Sequence, residues 1–294
     1  MQAAPEPPPA YSLIATRSSL LPPMAITALN SAATGLRALS TRIDVIANNL
    51  ANAETTAFKR QRVNFEDLMY LTKRHPGTLN AAGEATPTGI QVGLGVKVSN
   101  TQLDTTQGTL DPTGGKLDLA VEGPGYFAVS IAEGIGGGRA YTRNGDFFVN
   151  NEGELVLGIG DGYKLDPPIT LGTEFDPESL EIATDGTISL IPAGQSEPTV
   201  VGQMQIVRFV NPQGLKLIGG SLFIETEASG PPLEGNPGED GAGLVRQGFL
   251  EGSNVDPVRE LVTLIKTQRN FELNSQSIQT ADQALQTIGN LRRF

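Results

Sequence analysis

MAITALNSAATGLRALSTRIDVIANNL (24–50) and ELVTLIKTQRNFELNSQSIQTADQAL (260–285) decide the fold. Each carries a large apolar residue every seven positions: Leu29, Leu36, Ile43 and Leu50 in the first, Leu264, Phe271, Ile278 and Leu285 in the second. A seven-residue repeat returns a side chain to the same helix face after two turns, so each set predicts a seam along a helix. The intervening register is mostly small or polar, with Ile26, Ala33, Ser40 and Ala47 at the front and Thr267, Asn274, Ala281 and Ile288 at the back. A free-standing dimeric coiled coil prefers large apolar residues in both registers. The pattern is met equally by an intramolecular helix pair and by helices packed among several neighbours in an assembly.

The helix ends are marked. Asp256 before Pro257 predicts a start, since the carboxylate caps free amides and proline in the first turn lacks only a donor that would go unused. Gly289 and Asn290 mark a stop, and Asn48, Asn49 and Asn52 predict an end near residue 50. At 1.5 Å per residue the helices would be about 37 Å and 50 Å long. The fold class expected is α+β: long N- and C-terminal helices pairing as a coiled-coil-like stalk, with a central antiparallel β-rich domain.

That centre alternates rather than repeating every seven residues. KLDLAVEGPGYFAVSI (116–131) reads as two strands around a Gly-Pro-Gly turn, and AYTRNGDFFVN (140–150) as strand, Asn-Gly turn and strand. TDGTISLI (184–191), VGQMQIVRFV (201–210) and LKLIGGSLFIET (215–226) are further short strands, which together suggest a sandwich or irregular barrel. TKRHPGTLNAAGEATPTG (72–89) and EASGPPLEGNPGEDGAG (227–243) have no strong periodicity and read as long loops. The expected organisation is a leader (1–23), an N-terminal helical segment (24–57), a linker with an extended insertion (58–115), a β-rich domain (116–240), and a return segment with the C-terminal helix (241–294).

Composition narrows the function. Of the formal charge of −11, residues 24–62 carry five basic against two acidic groups, residues 256–294 five against four, and residues 1–23 one of each, which leaves −15 in the middle. An acidic centre argues against nucleic acid or an anionic membrane as partner. No apolar run reaches the roughly 20 residues of a membrane span. With no cysteine, disulfides and thiolate chemistry are excluded together. Residues 1–23 lack a basic start and an unbroken apolar run, so they are not expected to be a cleaved signal peptide; Met24 is expected to be the true start, or the leader a disordered tail.

The search for chemistry yields no catalytic, cofactor or metal residues. His75, the single histidine, lies in a Pro-Gly loop, and GIGGG (134–138) joins two strands instead of opening a helix. Asp161 lacks the dense acidic spacing of a calcium loop. The adjacent acids Glu66–Asp67 and Glu239–Asp240 read as solvated surface.

ANNLANAETTAFKR (47–60) closely resembles the motif that closes the N-terminal helix of the bacterial flagellar rod and hook proteins, and EGSNVDPVRELVTLIKTQRNFELNSQSIQTADQALQTIGNL (251–291) resembles their C-terminal signature. The likeness continues through LDLAVEGPGYFAV (117–129) and AYTRNGDF (140–147), so it covers residues 24–294. RHPGTLNAAGEATPTGIQVGLGV (74–96) is similar to an insertion typical of distal rod members, shorter than the extra domain of a hook protein. Ala57 departs from the family's usual glycine, which puts the turn geometry there in question.

The resemblance implies a structural, non-enzymatic subunit of a hollow helical homopolymer that spans the periplasm within the basal body, transmits torque to the hook and encloses an export channel. Its implied partners are other copies of itself, proximal rod proteins, the hook protein, the surrounding basal-body rings and the flagellar type III export apparatus. The eight seam residues are then the expected assembly interface. The alternatives are a proximal rod or hook subunit and, from another class, a secreted glycan-active enzyme.

Overall fold

A computed structural model describes residues 23–291, apart from 80–82, 133, 135, 161, 173–178 and 193–196. Two long helices bracket the chain, α1 (Pro23–Ala51) and α2 (Pro257–Leu291). The leader and Asp161 lie outside the described residues. Between the helices the chain is built of short, antiparallel strands. The α+β layout is therefore as expected.

Two compact units form. One gathers Leu39–Phe65 with Val98–Asn270. Its centre is a four-stranded antiparallel sheet in the spatial order Lys216–Gly219, Leu222–Ile224, Arg139–Thr142, Phe127–Ser130. A three-stranded sheet (Glu181–Ile182, Thr187–Leu190, Thr199–Gln203) and several two-stranded pairs surround it. Alternation along these strands sends Leu119, Val121, Phe127, Val129, Ile188 and Ile206 into one fully buried cluster. A smaller aromatic cluster sets Tyr126 and Tyr141 edge-on against Phe209, with centroids 6.0 and 4.8 Å apart.

The expected strands form on both sides of Gly-Pro-Gly and Asn-Gly, but neither turn closes a hairpin. Leu119–Glu122 pairs with Leu244–Gln247, whereas Phe127–Ser130 pairs with Arg139–Thr142. Phe147–Val149 pairs onward with Leu155–Leu157. The reason lies at Gly145, whose carbonyl accepts the Leu119 amide at 2.9 Å. A Cβ at Gly145 would stand 1.6 Å from the Leu119 carbonyl oxygen, so the Asn-Gly segment is pressed against another strand instead of folding back on its own.

The other unit gathers the chain up to Ala38, Glu66–Lys97 and Phe271 onward. The stretch read as loop is flanked by a ribbon that takes in its first three residues: Tyr70–Arg74 pairs antiparallel with Ile90–Gly93. Beyond it the pairing continues through the Gly77 amide on the Thr86 carbonyl (2.8 Å) and the Thr86 amide on the Thr78 carbonyl (2.9 Å). Gly95, at φ +120°, anchors the ribbon's exit to α1: a Cβ there would lie 2.1 Å from Thr34 Oγ1. In the same unit α1 meets α2 at Gly35, where a Cβ would come 2.9 Å from Asn274 Nδ2. This contact joins the helices without by itself making a coiled coil.

Candidate functional site: the junction of the terminal segments

The C-terminal end of α1 and the approach to α2 are fastened to the β-rich unit by side chains that imitate backbone. Asn49, buried in the last turn of α1, donates Nδ2 to the Gln61 carbonyl (2.8 Å) and accepts the Gln61 amide at Oδ1 (3.0 Å). It thus holds the strand Gln61–Asp67 as a neighbouring strand would. Asn254 does the same from the other end, accepting the Arg60 amide (2.8 Å) while its Nδ2 bonds the Asp104 and Thr106 carbonyls at 2.9 and 3.0 Å. Between these two clips lies Lys59-Arg60-Gln61.

Ala57 sits at φ +57° and is fully buried, its amide donating to the Glu251 carbonyl at 2.7 Å. The turn that glycine would make is therefore made by alanine, in a region where an L-residue carries a cost of about 1–2 kcal/mol.

Beneath this turn is a buried ionic cluster. Lys59 Nζ pairs with Glu251 Oε1 and donates to the Thr106 carbonyl at 2.7 Å, with the two charged side chains only 1 % and 0 % exposed. Glu251 also accepts the Gly108 amide (2.9 Å) and Arg143 Nη1 (3.3 Å). Arg143 also donates Nη1 to the Val121 carbonyl (3.1 Å) and Nη2 to the Gly123 carbonyl (2.7 Å), and lays its guanidinium 5.2 Å from the Tyr126 ring centre. Among the described residues, Arg143 Nε and Asn144 Nδ2 are buried without a partner. Burial pushes the Lys59 ammonium below its ordinary pKa, and Glu251 pulls it part of the way back.

A more exposed ring of polar contacts closes the junction. Arg60 Nε meets Asp104 Oδ2 at 2.8 Å, and its Nη1 lies 3.9 Å from Glu260. Burial alone would raise the Asp104 pKa; hydrogen bonds from the Thr106 hydroxyl and amide and from Arg60 overcome it and hold the carboxyl below its ordinary value. Asp256 caps α2 as expected, accepting the Val258 and Arg259 amides at 3.1 Å each, with Pro257 in the first turn.

The eight expected interface residues divide by helix. In α2, Leu264, Phe271, Ile278 and Leu285 are half-buried and Thr267 of the second register is fully buried, its hydroxyl bonded to the Thr263 carbonyl at 2.7 Å. The heptad face of α2 is thus the one turned toward its own chain. In α1, Leu29, Leu36, Ile43 and Leu50 are also half-buried, but the buried line is Gly35, Ala38, Ile46 and Asn49. Ser40 and Ala47, from the second register, are exposed.

The residues weighed for chemistry stay apart. His75 is exposed, Glu66 pairs with Lys97 at 3.4 Å, and Glu239 accepts from Asn236 at 3.1 Å. GIGGG lies in the connection between the paired strands Phe127–Ser130 and Arg139–Thr142. Among the described residues no group of three or more acidic or histidine side chains is placed to hold a metal, and no helix is long and apolar enough to cross a membrane.

Three family models match the chain. The flagellar basal body rod FlgEFG protein C-terminal model covers residues 246–291, the flagellar hook protein FlgE/F/G D1 domain model 120–190, and the flagella basal body rod protein model 29–59. The junction takes Asn49 and Lys59 from the first of these stretches in the chain, Arg143 from the second, and Glu251 and Asn254 from the third. The flagellar basal-body rod protein FlgG of Buchnera aphidicola is 42 % identical over 258 residues, 88 % of this chain and 96 % of that protein. The FlgG of Caulobacter vibrioides is 42 % identical over 266 residues, 90 % of this chain and 99 % of that protein. That of Bacillus subtilis is 38 % identical over 273 residues, 91 % and 100 % of the two chains. The chain belongs to the FlgG family of flagellar basal-body rod proteins.

Proposed function

We propose that this chain is the structural subunit of the distal rod, a rigid hollow tube that passes through the periplasm, carries torque from motor to hook and encloses the export channel. The observation that carries the reading is the near full-length match to FlgG proteins from several bacteria. The junction supports a mechanical role: three segments remote in sequence are tied by buried charge pairs and backbone-mimicking amides, which lets load on the helices reach the β-rich unit.

In this reading the partners are further copies of the chain, proximal rod proteins below, the hook protein above, the surrounding rings, and the type III export apparatus that delivers subunits without a cleaved signal. The heptad residues Leu29, Leu36, Ile43, Leu50, Leu264, Phe271, Ile278 and Leu285 form the helical inner wall, pairing in coiled-coil fashion once neighbours are present. The ribbon stiffens the tube by bridging subunits. Met69, Tyr70, Leu71, Leu79 and Ile90 are exposed on it, and a two-stranded ribbon is marginal in water without cover. Electron microscopy of basal bodies from cells expressing only a chain deleted for residues 74–90 tests this role. Curved or flexible rods are expected, and straight rods of normal form would overturn the stiffening function.

A further inference from the structure

α2 is apolar on two faces. Besides the heptad face, Val258, Leu261, Val262 and Ile265 follow the spacing i, i+3, i+4, i+7 on another side of the helix, and all four are exposed, from 71 % at Val258 to 44 % at Ile265. Four adjoining large apolar side chains left in water on one helix face mark a surface meant to be covered. One turn beyond Ile265 stands Arg269, exposed and without an ion-pair partner among the described residues.

A matching surface exists on α1. Ser40, Asp44 and Ala47, spaced i, i+4, i+7, share one exposed face. Two of them are small enough to receive large side chains between turns, and Asp44 is an exposed carboxylate without an ion-pair partner among the described residues. The two surfaces thus complement one another in size, and Asp44, on a face that also carries the exposed Arg37, offers Arg269 an opposite charge.

We propose that the Val258–Ile265 stripe of one copy packs on the Ser40–Asp44–Ala47 face of a second copy, with Arg269 of the first paired to Asp44 of the second. Because the two patches differ, the contact is heterologous: each copy that uses its stripe still offers its α1 face, so contacts pass from copy to copy, and they build a filament where the rotation between copies does not close a ring. The proposal rests on the rod-subunit reading and assigns its subunit-to-subunit contact to faces other than the heptad face of α2.

A charge exchange tests it in cells that make only the variant chain, with completed rods counted in purified basal bodies. Asp44→Arg and Arg269→Asp each place like charges across the contact and should lower the count about tenfold or more, while the double variant restores most of it. Both positions are exposed, so the amount of folded chain should not change. In a second arm, cells co-express two chains, one Ala47→Cys and the other Leu261→Cys or Ile265→Cys. Since the native chain has no cysteine, oxidised rods should give a dimer joining one of each, absent when Asn270→Cys, on the far side of α2, replaces the stripe position. Normal rod counts in both single variants, or a double variant as poor as either, with no mixed dimer, would overturn the proposal alone. Absence of the unaltered chain from basal bodies would overturn the rod reading itself.

Discussion

Around Lys59 the chain buries full charges and supplies nearly all of them with partners; along the ribbon it leaves Met69 82 % and Leu79 71 % exposed with nothing over them. The first region is finished within one copy. The second is apolar surface that the described residues leave in water. Burial of a charge is tolerated when geometry and hydrogen bonds compensate desolvation, and at the junction both are supplied within the single chain. An exposed apolar ribbon places no such demand on the single chain, and in the proposed rod its cover would come from assembly.

The sharpest way to break this contrast is Glu251→Ala. It strands Lys59 and Arg143 as uncompensated buried cations, and breaking a buried pair in this manner costs about 3–5 kcal/mol. Urea denaturation of the isolated chain should show that loss in full, whereas Leu79→Ala on the ribbon should leave the midpoint nearly unchanged. A midpoint shifted equally by both would mean that the two regions are not built on different principles.

Next in size are the backbone clips. Asn254→Ala removes the acceptor for the Arg60 amide and the donors to the Asp104 and Thr106 carbonyls; leaving such groups unpaired costs about 1–3 kcal/mol each where they are buried. Asn49→Ala removes the two bonds to Gln61 and should fall in the same range. Amide exchange should quicken at Arg60 in the first variant and at Gln61 in the second, with the Tyr70–Arg74 and Ile90–Gly93 amides unaffected. Protection at Arg60 and Gln61 that survives both changes would show that other contacts hold the segment.

What could be read beforehand divides along the same line. The helices, the cap at Asp256 and most strands follow from local periodicity and composition, because each is decided within a few residues. The Asn-Gly segment does not close the hairpin its turn signal predicts, since the close approach of Gly145 to Leu119 joins residues that no turn signal connects. The ribbon was invisible because neither of its faces is consistently buried, so no alternation of apolar and polar residues marks it. The cluster of Lys59, Arg143 and Glu251 is assembled across separations of up to 192 residues, and a lone lysine or glutamate in sequence reads as surface. In α1 the leucine heptad is the stronger sequence signal, whereas the buried line Gly35, Ala38, Ile46 and Asn49 has only one large apolar member.

Acid should loosen the junction's outer ring. Asp104 titrates below its ordinary value in the folded chain, so its contribution is present above the unfolded carboxylate pKa of about 4 and is lost as pH falls through the lowered folded value. Stability of the unaltered chain should therefore decline more steeply below that pH than stability of Asp104→Asn. Parallel declines in the two proteins would remove Asp104 from the acid response.

The smallest effect expected is at Ala57, where opposing contributions cancel. Glycine adopts φ +57° freely, so Ala57→Gly relieves a left-handed strain of about 1–2 kcal/mol. Against this stand the loss of one buried methyl, about 0.8 kcal/mol, and the greater freedom of glycine in the unfolded chain, about 0.4–1 kcal/mol. The terms offset, and the prediction is a change within about 1 kcal/mol of zero, read as a denaturation midpoint that barely moves. A fall of several kcal/mol would mean that the Ala57 methyl fills space the junction cannot do without. In that case the departure from glycine is a packing feature of this chain, not a strain it carries.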